Sequence, residues 1–199
     1  PMIDACMRCL LATGWLPFRM RALLVSFASY QLWIPWQKTA THLAQLFTDY
    51  EPGIHYSQVQ MQSGTTGINA IRIYNPIKQS LEHDPKGAFI RKWCPELKVL
   101  DNTQIHTPWK QDLMSETVNY PAPIIDLDKA TQNAKDIVYG LKKQTDNKTL
   151  SKAVFIKHGS RSKNREQMNS GLRNTSKKPS GKGKSQTKNN VPEAQLSLF

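Results

Sequence analysis

At 199 residues, with 39% hydrophobic side chains and a formal net charge of +12, the chain is long enough for one modest domain and too short for several. Residues 157–199 carry ten Lys/Arg against two acids, Glu166 and Glu193, and no aromatic before Phe199, so this end supplies +8 of the excess and the rest is only mildly basic. Burial of so few apolar groups cannot offset the ordering entropy of that stretch, which excludes a core there and places the expected boundary to disorder between Thr145 and His158.

The first expected element is a helix over residues 3–12, where apolar positions recur at helical spacing and Gly14 supplies a stop. Cys6 and Cys9, three apart within it, share a face. No second Cys/His pair stands at metal-ligand spacing, and packing is the expected role of these free thiols. With Cys94 they are too few for a disulfide framework, and nothing resembles a secretory signal, so the cytoplasm is the expected compartment. A second helix is expected over 19–34, interrupted by Pro35. Its apolar run is broken by Ser26, Ser29 and Gln31 and is shorter than the ~20 residues of a bilayer span, so it reads as a core helix with no membrane role. A third pattern, 39–47, places Leu43, Leu46 and Phe47 on one side and closes at the Glu51-Pro52-Gly53 turn. The polar, weakly periodic stretch 54–69 has two readings, the wall of a ligand site or a plain surface loop.

Farther on, Pro85 suits a first helical turn, and Phe89, Ile90 and Trp93 form an apolar stripe that ends at Pro95. Trp109 opens a short amphipathic piece, and the prolines after Tyr120 make an extended connector. Asp126 or Asp128 caps a last helix through Ile137, Val138 and Leu141. Period-two patterns are nearly absent. The expected fold class is therefore all-α, organised as a helical domain over 1–145, a disordered basic linker over 146–194 and a terminal pentapeptide over 195–199.

An ordered series of short motifs runs through this pattern: Asp4-Ala5-Cys6-Met7-Arg8, Thr13-Gly14-Trp15, Arg19-Met20-Arg21, Ser26-Phe27, Trp36 and Asp49. After a divergent stretch it resumes with Arg72-Ile73-Tyr74-Asn75-Pro76, Gln79, His83-Asp84-Pro85-Lys86-Gly87, residues 89–97, His106-Thr107-Pro108-Trp109 and residues 120–126. Over about residues 1–127 the series resembles the C-terminal part of the FAD-binding helical domain of the DNA photolyase/cryptochrome family. The resemblance implies FAD as cofactor, an antenna pigment of unknown identity, DNA as partner, and a monomer. It also implies two missing parts, an N-terminal α/β antenna domain and the earlier half of the helical domain. A chain opening at Pro1 is on this reading a fragment, expected to bind FAD weakly or not at all by itself.

Position by position, the resemblance assigns Arg21, Asp49, Tyr50 and Glu51 to the cofactor edge, where Arg21 and Asp49 form an ion pair. A buried charge is tolerated only when paired, so the same two residues also support a purely structural salt bridge. His55 falls where the family faces the flavin N5 edge, usually with Asn; an imidazole there would make flavin redox behaviour pH-sensitive, and a surface-loop histidine is the other reading. Trp36 matches the middle member of the family's electron-carrying tryptophan chain; read by itself, it is better accounted for by core packing. The flavin-proximal member falls on Val59, which breaks the usual route. Arg19, Arg72, Lys78 and Gln79 match positions near the DNA face. Ala22 and Met61 stand where photolyases carry substrate-contacting Met and Trp, and Pro17-Phe18 replaces His-Asn. These departures mean that the resemblance does not carry cyclobutane-dimer repair with it; light-dependent repair of a pyrimidine lesion is the first implied activity, a light sensor without repair the second, and a non-catalytic interaction module the third.

The basic stretch 160–190 suits either sequence-independent, salt-sensitive phosphate binding or a solvated linker. Gln195-Leu196-Ser197-Leu198-Phe199 resembles the pentapeptide with which bacterial repair and replication proteins dock on the replicative sliding clamp: Gln195 offers amide hydrogen bonds, and Leu198 and Phe199 suit an apolar cleft.

Overall fold

Helix α1, Met2–Thr13, buries Met2, Ala5, Cys6, Cys9 and Leu10, a stripe at three- and four-residue spacing. Burial pushes the Cys6 thiol up to about 12, which keeps it protonated and suited to packing. The structure is a computed structural model describing residues 1–110, 118–143 and 145–158, with side chains of 145–148 outside that description. All described residues belong to the unit Pro1–Gly159.

Gly14 ends α1 in the left-handed conformation, φ 69°, with its N–H donated to the Leu10 carbonyl at 2.7 Å. Its carbonyl accepts from Thr48 twice, from the backbone N–H at 3.0 Å and the hydroxyl at 3.2 Å. A Cβ at Gly14 would lie 2.4 Å from Thr48 Cγ2, so the C-terminus of α1 and the loop at residue 48 meet only because residue 14 has no side chain.

Helix α2, Phe18–Ser26, runs into a π-helical turn, Phe27–Gln31. The helix expected to reach residue 34 thus stops at Gln31. Residues 32–35 form a connection in which Trp33 adopts φ 54° and is exposed, as is Ile34, so the end of this segment is not core. Helix α3, Trp36–Leu46, follows, with Ala40 and Leu43 buried.

Helix α4 spans Pro52–Gln62 and resolves the ambiguous 54–69 stretch: its first part is helical, and residues 63–75 are irregular. The Glu51 carboxylate caps α4 by accepting from Gly53 N at 3.0 Å and Ile54 N at 2.6 Å, and Pro52 occupies the first turn. Side chains of α2 and of the π-helical turn hold the irregular segment. Fully buried Ser26 accepts from Tyr74 N at 3.0 Å and donates to the Arg72 carbonyl at 3.3 Å, and Gln31 donates to the Tyr74 carbonyl at 2.8 Å. These bonds satisfy backbone groups that no strand partner serves.

Helix α5, Pro76–His83, was not expected from periodicity; Asn75 caps it, accepting from Ile77 N at 2.9 Å and Lys78 N at 3.1 Å. Pro85 stands in the turn before helix α6, Ala88–Trp93, and outside the helix itself. Gly87 at φ 65° reverses the chain between them, and Asp84 accepts from Ile90 N at 3.1 Å. Trp109 lies in a single 3-10 turn, Pro108–Lys110. Helix α7, Leu127–Lys143, starts where expected, with Asp126 accepting from Lys129 N at 3.1 Å. Helix α8, Thr145–His158, spans the range in which the boundary was expected and packs against α7.

The core joins the α1 stripe to Leu23, Leu24 and Val25 of α2, Ala40 and Leu43 of α3, and Ile90, Cys94, Leu97 and Ile105. Arg8 ties α1 to the segment after α6, pairing with Asp4 at 3.1 Å and Glu96 at 2.7 Å, while Tyr120 donates to Asp4 at 2.9 Å. No strand occurs among the described residues, in keeping with the all-α expectation. Among them, too, no helix is long and apolar enough to cross a membrane. Residues 159–199, including the pentapeptide 195–199, lie outside the described residues.

Candidate cofactor site

A cavity of about 190 Å³ opens between α2, the end of α3 and α4. Helix α2 supplies Phe18, Arg21, Ala22 and Val25, spaced so that all four fall on one helical face. Helix α4 supplies Ile54, His55, Gln58, Val59 and Gln62 by the same logic. Leu43 and Phe47 close one side, and the 49–51 loop forms the rim.

Arg21 and Asp49 meet as a bidentate pair, Nη1 to Oδ1 at 3.0 Å and Nη2 to Oδ2 at 2.8 Å. Arg21 Nε donates to the Leu16 carbonyl at 2.6 Å, and the guanidinium lies 4.1 Å from the Phe47 ring centroid. The Arg21 side chain is 25% exposed and that of Asp49 47% exposed, so the pair lies at the cavity rim and is not the buried pair expected from sequence. The hydrogen-bonded guanidinium holds the Asp49 carboxyl below its usual range.

His55 Nε2 lies 2.8 Å from the Ala40 carbonyl, which can only accept, so Nε2 carries a proton and the neutral ring keeps its lone pair on Nδ1. The ring stands edge-on to Tyr50 and Tyr56, at 5.4 Å from each, and to Phe47 at 6.1 Å. Its orientation is fixed from both ends, which a surface-loop histidine lacks. Desolvation and the Tyr56 hydroxyl raise the Tyr50 phenol above its usual value. Glu51 lines the rim while its carboxylate serves the α4 amides.

The structure therefore gathers Arg21, Asp49, Tyr50, Glu51 and His55 around one cavity. It also places Val59 there, 3% exposed, at the position where the family resemblance implies a tryptophan. Trp36, the first residue of α3, is half-buried against the core and does not line the cavity. Sequence reasoning missed Gln58, Gln62, Ile54 and Phe18. The recurrence 54, 55, 58, 59, 62 was the available signal once α4 was recognised as a helix.

None of the DNA-face candidates lines this cavity. Arg19 Nη1 donates to His83 Nε2 at 3.0 Å, which sets Arg19 beside α5, the helix of Lys78 and Gln79. Lys78 pairs with Glu82 at 3.7 Å, and Gln79 donates to Glu82 at 3.0 Å, so part of the local charge is neutralised. Arg72 is exposed on the irregular segment, its carbonyl held by Ser26.

Residues 1–139 match the family model described as the FAD binding domain of DNA photolyase. The chain is 36% identical to a deoxyribodipyrimidine photo-lyase of Streptomyces griseus over 132 residues, covering 65% of this chain and 29% of that protein. To cryptochrome-2 of Arabidopsis thaliana it is 35% identical over 141 residues, covering 66% and 23%. A bacterial class III photolyase from Agrobacterium tumefaciens superposes with a TM-score of 0.66 at 31% identity, over 72% of this chain and 32% of that one. An archaeal photolyase from Sulfolobus tokodaii, solved with two FAD molecules, gives 0.64 at 31% identity, over 70% and 32%. The chain thus spans about a third or less of the length of these relatives.

Proposed function

The chain belongs to the family defined by the FAD-binding domain of DNA photolyases, and we propose from that premise that it contributes one side of a flavin site used for light-dependent DNA repair in the cytoplasm. The observation that carries the proposal is the convergence of Arg21, Asp49, Tyr50, Glu51 and His55 on one cavity. FAD is the cofactor of such a domain. The residues present fit a flavin ring: apolar walls from Val25, Leu43, Phe47 and Val59 suit a planar heteroaromatic, and the Gln58 amide oxygen is buried without a hydrogen-bond partner. The chemistry that bound, reduced FAD would supply is light-driven electron transfer to a pyrimidine lesion.

The protein's own groups set the conditions for this. The Arg21–Asp49 pair fixes the α2 edge of the cavity to the 49–51 loop, keeping Tyr50 and Glu51 at the rim. His55, its Nε2 proton committed to Ala40, keeps Nδ1 as the atom that can take up a proton. Arg19, Arg72, Lys78 and Gln79 supply cationic and amide groups for phosphates. The proposed pentapeptide 195–199 would recruit the protein to a sliding clamp.

A second reading, a cryptochrome-like light sensor without repair, is favoured by Val59 on the cavity wall and by Ala22 and Met61 at the repair-face positions. The experiment that decides is illumination of an ultraviolet-damaged oligonucleotide with the protein and FAD: restored pyrimidines support repair, and flavin photoreduction without repair supports the sensor. An unchanged pH profile of flavin photoreduction in His55→Asn removes the proton role of His55. If a peptide of residues 191–199 shows no clamp binding by fluorescence anisotropy, and deleting 195–199 leaves clamp pull-down unchanged, recruitment is refuted.

A further inference from the structure

Helix α4 carries a polar face where a helix over a cavity would ordinarily be apolar. On the wall formed by Ile54, His55, Gln58, Val59 and Gln62, two residues one helical turn apart are glutamines. Gln62 is 7% exposed, and the Oε1 of Gln58 is shielded from solvent with no hydrogen-bond partner. Leaving such an acceptor unsatisfied costs about 1–3 kcal/mol, which an apolar residue of similar size would avoid. None of the other groups on this wall supplies the missing donor: His55 is committed to Ala40, and Arg21 to Leu16 and Asp49.

We propose that Gln58 is a positioning residue for the flavin ring, its Oε1 accepting a hydrogen bond from a ring N–H of the isoalloxazine held in this cavity. The inference rests on the flavin-site reading above. The chemistry selects a ring N–H because Val25, Leu43, Phe47 and Val59 suit the faces of a planar ring, while Arg21, Asp49, Glu51 and His55 on the same lining already have hydrogen-bond partners within the protein, which leaves the Gln58 acceptor to meet the ring's polar edge. A primary amide is the bidentate complement of an adjacent N–H and C=O, and the isoalloxazine edge presents that pair. Two ring positions satisfy the proposal: the imide N–H, present in both redox states, and the N–H formed at N5 on reduction.

The test titrates FAD, 3-methyl FAD and 5-deaza FAD into the full chain by fluorescence or absorbance, with oxidised and with anaerobically reduced ligand. An imide bond predicts that 3-methylation weakens binding about five- to tenfold in both redox states, the worth of one neutral hydrogen bond. An N5 bond predicts that the 5-deaza analogue binds reduced ligand weaker by a similar factor, and that Gln58→Met lowers the midpoint potential of bound flavin. In either case the analogue's penalty disappears in Gln58→Met, whose fold is checked by its melting curve. If Gln58→Met does not fold, the analogues on the unaltered chain still decide. The proposal is overturned if both analogues bind like FAD in both redox states, or if the analogue penalty is the same in Gln58→Met; a structural water on Gln58 gives that result. Absence of flavin binding even at the solubility limit of the ligand overturns the premise that this chain holds the ring by itself, an outcome distinguishable from equal binding of FAD and its analogues.

Discussion

Removing the charge of Asp49 without changing its shape, as Asp49→Asn, strips the carboxylate from a bidentate contact and leaves Arg21 with the Leu16 carbonyl and the Phe47 ring. Charge-assisted, two-point geometry places the pair at the strong end of its class. Its exposure brings solvent screening and holds the coupling to about 1 kcal/mol, roughly fivefold in the folding equilibrium. A double-mutant cycle of Arg21→Met and Asp49→Asn isolates that figure, because effects private to each substitution cancel. The pH dependence has a definite sign. Asp49 has a folded pKa below its unfolded value of 3.8, so its contribution is fully present above that value and is lost as the pH falls through the folded pKa. Urea midpoints of the four proteins, measured from pH 7 down to about pH 3, should show a coupling that is constant at first and shrinks at the acid end. A coupling of zero at pH 7, or one that persists undiminished to the lowest pH at which the proteins fold, would refute the assignment of this pair as the brace of the cavity rim.

Ser26→Ala should destabilise the domain by about 2 kcal/mol by chemical denaturation, because Tyr74 N and the Arg72 carbonyl both lose their partner inside the protein. Glu51→Ala removes the cap of α4 and should cost about 1 kcal/mol, with helical circular dichroism at the melting midpoint reporting the loss. Gly14→Ala meets both an unfavourable φ and the Thr48 methyl. A loss exceeding the ~1 kcal/mol of the backbone effect alone is expected in urea titrations, and a loss no larger than that would show that the contact with Thr48 relaxes freely.

Helices α1, α3 and α7 were legible because their patterns follow ordinary rules: apolar stripes toward the core, a glycine stop at 14 and an aspartate cap at 126. Helix α4 was not, for the reason that makes it interesting. Its inward face bears His55, Gln58 and Gln62, so the contrast between a buried apolar side and a solvated polar side is absent. The cap residue Glu51 and the following proline did mark its start, and a reading weighted toward capping over periodicity would have found it. Family resemblance brought Arg21 and Asp49 together. No spacing rule links residues so far apart in sequence, and the bridging contact of Thr48 with Gly14 depends on a loop path that local pattern does not encode. Helix α5 was hidden by its shortness, although Asn75-Pro76 is a strong start signal. The cost of a buried acceptor with no partner on a helix that faces the core is the sort of local inconsistency that functional sites carry.

The π-turn at Phe27–Gln31 has a further consequence for how this segment tolerates insertion and deletion. One extra residue in a helix rotates everything after it by about 100° relative to what precedes it. Upstream of the turn, Phe18, Arg21, Ala22 and Val25 address the cavity; at its end, Gln31 addresses Tyr74 and, at 3.4 Å, Thr131 of α7. A single-residue deletion within 27–31 would restore a regular α-helix and leave the cavity face intact, while turning Gln31 away from α7. This is the place where a reading frame shortened by one codon should spare the ligand face and release α7.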